Sequence, residues 1–68
     1  MKYTVVFERT PANFAAYVPD LPGCVATGRT RKAVEHNIRS AIAFHIEGLK
    51  TQGEAIPEPQ TWSELVDT

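Results

Sequence analysis

Between Phe14 and Gly28 the chain reads FAAYVPDLPGCVATG, and this run limits the available folds more than any other segment. Pro19 and Pro22 lack a backbone N–H and hold φ at about −65°, so neither a helix nor an unbroken central strand passes through them. Val18-Pro19-Asp20-Leu21 fits a type I turn with proline at its second position. Leu21-Pro22-Gly23-Cys24 fits a type II turn, in which Gly23 supplies the positive φ of the third position. The flanking runs are β-prone, which predicts strands over residues 14–18 and 24–27 joined by a double turn.

Residues 2–9 (KYTVVFER) are rich in β-branched and aromatic types and read as another strand. Period two places Tyr3, Val5 and Phe7 on one face and Lys2, Thr4, Val6 and Glu8 on the other. Thr10-Pro11-Ala12-Asn13 is a turn, with Asn13 the residue that tolerates positive φ. Three consecutive strands with short connections predict an antiparallel meander. The period then changes. Thr30 is a suitable N-cap, and Val34, Ile38, Ala41, Ile42, His45 and Leu49 form one apolar stripe, predicting a helix over residues 31–51. Glu35, Arg39, Ala43, Glu47 and Lys50 fall on its far side. Gly53 ends the helical region, and Ile56-Pro57-Glu58-Pro59 is extended because each proline restricts its neighbour. Thr61 and Glu64 resemble a capping box, but too little chain follows to hold a helix alone. The residues thus specify a two-layer α+β fold with a single helix on one sheet face.

The chain has 68 residues, read as a single domain over 1–68. A core of that size supplies only about 3–5 kcal/mol, so small domains usually carry a staple. One cysteine makes no internal disulfide, and two histidines with one cysteine are too few for structural zinc. Self-association is the remaining route, so a homodimer or higher oligomer is expected. The lone thiol and the lack of a recognisable signal sequence point to the cytoplasm, and no apolar run is long enough to span a membrane. A net charge of −1 argues against bulk electrostatic binding to nucleic acid. The charge is nonetheless segregated. Arg29, Arg31, Lys32 and Arg39 cluster, whereas from residue 51 onward there is no lysine or arginine and Glu54, Glu58, Glu64 and Asp67 are acidic.

One helix covers one face of a sheet. Phe7, Phe14 and Val18 are expected to meet it, leaving Thr4, Val6, Ala15, Tyr17, Val25 and Thr27 on the other face. A solvated antiparallel face alternates in polar residues, and this one does not, so it reads as an interface for a partner or a second copy. Leu21, at the tip between two prolines, is a further contact candidate. Reactive groups do not converge. Glu35 and Glu47 project from the outer helix face, away from the sheet, and Glu8 sits one position out of the core pattern; Cys24 reads as a core thiol, and His36 faces outward. No catalytic residue, metal site or cofactor is expected. His45, within the apolar stripe, reads as a buried neutral ring with a hydrogen-bond partner. Arg31 and Lys32 stand at the positive end of the helix dipole and, with Arg29, form a candidate anion contact. Trp62 either pins the tail or inserts into a partner.

The VPDLPGC run (residues 18–24), HIEGL (45–49), IPEP (56–59) and the spacing between them resemble the N-terminal domain of the HicB family of bacterial antitoxins, over residues 2 to 60. The resemblance implies a cut-down ribonuclease H-like fold, β-β-β-α-β, with a short last strand near Glu64 to Val66 beside the first strand. It implies a non-enzymatic antitoxin whose partner is a HicA-like toxin, a small basic mRNA-cleaving ribonuclease, covered over its RNA-facing surface and catalytic histidine. On that reading the acidic tail, Glu54, Glu58, Trp62 and Glu64, faces the toxin. The sheet surface, Val6, Ala15, Tyr17, Val25 and Leu21, serves the oligomer or the partner. The chain departs from the family where Arg31 and Lys32 replace the usual acidic residues. It also reads as lacking the helix-turn-helix or ribbon-helix-helix domain of longer members, so no direct nucleic-acid contact is expected. The alternative reading is a stand-alone oligomeric domain that binds a small molecule or another protein without a toxin.

Overall fold

The computed structural model describes residues 1–68. Strands β1 (Val6–Arg9), β2 (Phe14–Tyr17) and β3 (Val25–Gly28) form an antiparallel sheet in the order β1-β2-β3, followed by helix α1 (Arg31–Thr51). The β1–β2 hairpin closes through the Thr10 amide, which donates to the Asn13 carbonyl at 2.8 Å. The Thr10 hydroxyl oxygen accepts from the amides of Ala12 and Asn13 at 3.3 and 2.9 Å. This side-chain bridging shapes the turn, and Asn13 does not take up positive φ; only Gly23 and Gly53 do.

Both turns of the double turn form as the sequence requires. Leu21 N donates to Val18 O and Cys24 N to Leu21 O, each at 3.0 Å, and Gly23 has φ of 84°. Val18 N to Cys24 O, at 3.1 Å, then closes the loop on itself. The closure folds the tip inward. Leu21 has no exposed surface and joins Ala16, Val18, Cys24, Val34 and Ile38 in the core. It is therefore a core residue and not an outward contact.

The Thr30 side chain accepts from Ala33 N at 3.0 Å, capping α1 as expected. At the other end Gly53 N donates to Lys50 O and Glu54 N to Leu49 O, the paired bonds of a Schellman motif, with Gly53 at φ of 70°. The helix lies over β3 and β2 and leaves β1 uncovered. Gly28 sets this placement. A Cβ there would stand 2.5 Å from Val34 N, so the helix backbone approaches β3 where only glycine fits. Phe7 shares the helix-side face with Ala16 and Ala26, yet it is 48% exposed because the helix passes to one side of it. It does not join the core as the strand period suggested.

The first strand is shorter than residues 2–9. Beyond the Val6–Tyr17 pair its partner chain enters the Val18-Pro19 turn, so the ladder stops. Tyr3 and Val5 still pack against the core from an extended segment. The expected last strand near Glu64 to Val66 does not form. Residues 54–68 contain neither strand nor helix, and no backbone–backbone hydrogen bond involves residues 55–68. The observed order is β-β-β-α.

Candidate protein-binding surface

Strand alternation and register together build the face opposite the helix. Val6 pairs with Tyr17 and Tyr17 with Val25, giving an uncharged row across all three strands. The next row of this face is Glu8, Ala15 and Thr27. Val25 is 64% and Tyr17 41% exposed, while Val6 and Ala15 are half-buried. The sheet candidates other than Leu21 thus lie together on one open surface.

The chain segment after the helix is tied to the end of the sheet by side chains. The Asp20 carboxylate accepts from the amides of Gln60 and Thr61, each at 3.0 Å, and from the Thr61 hydroxyl at 2.9 Å. The Thr4 hydroxyl donates to Thr61 O and the Tyr3 hydroxyl to Pro57 O, both at 2.6 Å. Bonding from the Thr61 and Gln60 amides holds the Asp20 carboxyl below its ordinary range. Burial pushes the Tyr3 hydroxyl up, helped by the charges of Glu58 and Asp20. Sequence reasoning missed Asp20. Its turn chemistry was legible, but its ligands lie forty residues away, and no local pattern announces them.

Glu54, Glu58, Trp62 and Glu64 are all exposed, with the Trp62 indole N–H donating to Glu64 at 3.3 Å. The clasp ends at Thr61, so it fixes the segment carrying Glu58 and leaves Trp62 and Glu64 beyond it. Arg29, Arg31 and Lys32 are exposed around the start of α1, whose first turn holds no acidic residue. Because the helix misses β1, two grooves open on that side. One lies between Phe7, Phe14, Arg9 and Arg31; the other between Tyr3, Ile42, Ile46 and Ile56. Phe44, 82% exposed on the outer helix face, is an apolar group that the stripe analysis passed over.

No group of three or more His, Cys, Asp or Glu side chains is arranged to hold a metal ion. Cys24 is buried, and burial raises its thiol pKa, which disfavours the reactive thiolate. His45 is half-buried at the margin of the stripe, not enclosed, so its ring does not need the internal hydrogen-bond partner expected for it. No helix is long and apolar enough to cross a membrane.

A three-stranded meander with one helix across part of it, and an apolar row left open on the other face, define a small two-layer α+β domain. The family model describing the HicB-like antitoxin of bacterial toxin–antitoxin systems matches residues 3–68. The chain belongs to this HicB-like antitoxin family. It is 36% identical over 58 residues to an uncharacterised 14.9 kDa protein from the rep–hol intergenic region of Haemophilus phage HP1, covering 85% of this chain and 44% of the phage protein. It thus spans less than half of that relative's length. A UPF0150 protein of Thermoplasma acidophilum is 43% identical over 58 residues, with 84% of each chain covered. Among solved structures, a chain of the HicA3 and HicB3 toxin–antitoxin complex superposes with a TM-score of 0.74 at 33% identity, over 87% of this chain and 70% of that one.

Proposed function

We propose that the chain neutralises a HicA-like toxin by direct binding, without chemistry of its own, through the open sheet face of Val6, Ala15, Tyr17 and Val25. The observation that carries this reading is the likeness, in fold and at 33% identity, to a chain of a toxin–antitoxin complex. The physical character of the face supports it. A row without charge, centred on a half-exposed tyrosine, resembles the aromatic, charge-poor core of protein interfaces. Glu54 and Glu58 add an acidic flank suited to a basic ribonuclease. In this reading the protein acts in the cytoplasm, as a homo-oligomer, and the module is a cut-down ribonuclease H-like fold that has kept its binding role and no catalysis.

Co-expression tests it directly. The chain relieves growth inhibition by the small basic protein that co-purifies with it. Val25→Asp, on an exposed site, abolishes both co-purification and rescue while leaving the fold unchanged by circular dichroism. Full rescue by Val25→Asp and by Tyr17→Asp would remove the sheet face from the interface. A second reading, a stand-alone binding domain without a toxin, draws support from the Thermoplasma relative, which matches over most of both chains. Purification of the chain with no stoichiometric toxin partner would favour it.

A further inference from the structure

We propose that the groove between the end of β1 and the start of α1 binds a free aromatic α-amino acid, with its ring on Phe7, its carboxylate on Arg9 and Arg31 and its ammonium on Glu35. The groove lies on the helix side of the sheet, so the inference does not depend on what the opposite face binds.

Strand register builds the site. Arg9 pairs with Phe14 and Phe14 with Gly28, against which the helix backbone is pressed at Ala33 and Val34. The end of β1 and the first turns of α1 therefore stand at one corner of the molecule. The helix passes over β2 and β3 and leaves β1 uncovered, so this corner is hollow, with a volume of about 200 Å³. Sites that take drug-sized ligands run from about 300 to 1,000 Å³. This one is sized for something smaller, such as a single amino acid.

The groove has an aromatic floor, Phe7 and Phe14, and charged walls. The Arg9 guanidinium stands 5.7 Å from the centre of the Phe14 ring, and this stacking holds the cation over the floor. Phe7 has no such cover and is 48% exposed, which leaves a free aromatic surface for a second ring. Arg31 opens α1, and Glu35 follows about one turn later. Glu35 is half-buried beside the groove, on the flank of the helix and not on the far side where the apolar stripe placed it. Glu8 borders the groove at the uncovered edge of β1. None of these four charged side chains makes a hydrogen bond within the chain.

Two cations and two carboxylates around an aromatic floor select the ligand. A lone carboxylate meets the arginines but is repelled by the glutamates, and a lone amine meets the reverse. A neutral ring leaves all four charges without a partner. A zwitterion carries both signs on one carbon and satisfies both. Its carboxylate suits the two-pronged donor of a guanidinium, and its ammonium donates to a carboxylate. An aromatic side chain adds ring contact with Phe7.

Titration of the full chain with L-phenylalanine and with L-tryptophan, followed through its amide resonances, tests the proposal. The amides of Phe7, Arg9, Arg31 and Glu35 shift saturably, and those of Tyr17 and Val25 on the opposite face do not. Hydrocinnamate lacks the ammonium, phenethylamine the carboxylate and L-alanine the ring, and each binds about tenfold more weakly than L-phenylalanine. Glu35→Gln abolishes the preference for L-phenylalanine over hydrocinnamate, and Arg9→Gln abolishes the preference over phenethylamine. Both variants keep the wild-type far-ultraviolet spectrum, so a loss of selectivity reports recognition and not unfolding. The proposal is overturned if neither amino acid gives a saturable shift, if the singly charged analogues bind as tightly as L-phenylalanine, or if both variants keep the wild-type selectivity. Equal binding of N-acetyl-L-phenylalanine amide, which carries the ring without either charge, would make the groove a peptide contact and overturn it as well.

Discussion

Asp20 and Leu21 are neighbours in one proline-bracketed turn and have opposite fates. Leu21 is swallowed by the core, and Asp20 stays at the rim and holds the returning chain by three hydrogen bonds. The difference follows from loop closure between Val18 and Cys24, which points one side chain of the tip inward and leaves its predecessor outside. Asp20 makes the clasp pH-dependent. Its carboxyl is depressed by bonding to the Thr61 and Gln60 amides. A group with a depressed folded pKa contributes stability above its unfolded value of about 3.9 and loses it as pH falls through the folded value. The clasp therefore holds from neutrality into mild acid and opens only below the ordinary carboxylate range. The Gln60 and Thr61 amide resonances titrate together with a midpoint below that of an unperturbed aspartate, and Asp20→Ala removes both titrations. A midpoint at the ordinary value would mean that the carboxylate does not hold the segment. None of this was legible locally, because a turn aspartate advertises its own turn and not a partner forty residues on.

At the scale of elements, Gly28 decides how the layers meet. Its absent Cβ admits the backbone of Ala33 and Val34, the nearest atoms being 2.5 to 2.9 Å from where that carbon would sit. Because those atoms are backbone, no rotamer change makes room, and Gly28→Ala costs about 1–3 kcal/mol by overpacking. Gly48, inside α1, has open space at the same test. There the change to alanine gains about 0.4–1 kcal/mol, since glycine is the poorer helix former. Urea denaturation of the two variants checks this, and similar signs for both would contradict the packing account. The contrast explains what the sequence reveals about this fold. The helix, its Thr30 cap, both proline turns and the strand order are set by residues within a few positions of one another, so pattern alone locates them. The helix crossing is a close approach between Gly28 and Val34, and it determines which of Tyr3, Val5 and Phe7 find cover. Periodicity assigned all three to one face, correctly, but did not show that the helix would bypass Phe7. The missing last strand failed for a related reason: its pairing partner is an edge, and edge pairing is specified by the whole assembly of strands, not by the few residues of TWSELVDT.

At the scale of the whole molecule, the proposed antitoxin role divides the work of binding between two kinds of surface. The Val6–Tyr17–Val25 row holds no charge, so in that proposed role its contribution is burial, which sets how long a complex lasts. The exposed carboxylates of Glu54 and Glu58 stand on chain that the clasp keeps beside the sheet, and exposed charges act chiefly on encounter. Screening separates the two effects, since the Debye length falls from about 10 Å at 0.1 M salt to about 3 Å at 1 M. For binding to a basic toxin, the association rate therefore drops steeply as salt is raised, and the dissociation rate changes little. Glu54→Lys with Glu58→Lys flattens the salt dependence of association and leaves dissociation near wild type. Val25→Asp does the reverse, raising dissociation at every salt concentration. Stopped-flow measurement of both rates across a salt series distinguishes the contributions. If the lysine variants instead accelerate dissociation and preserve the salt slope, the acidic flank is inside the buried contact, and the apolar row is not the centre of the interface.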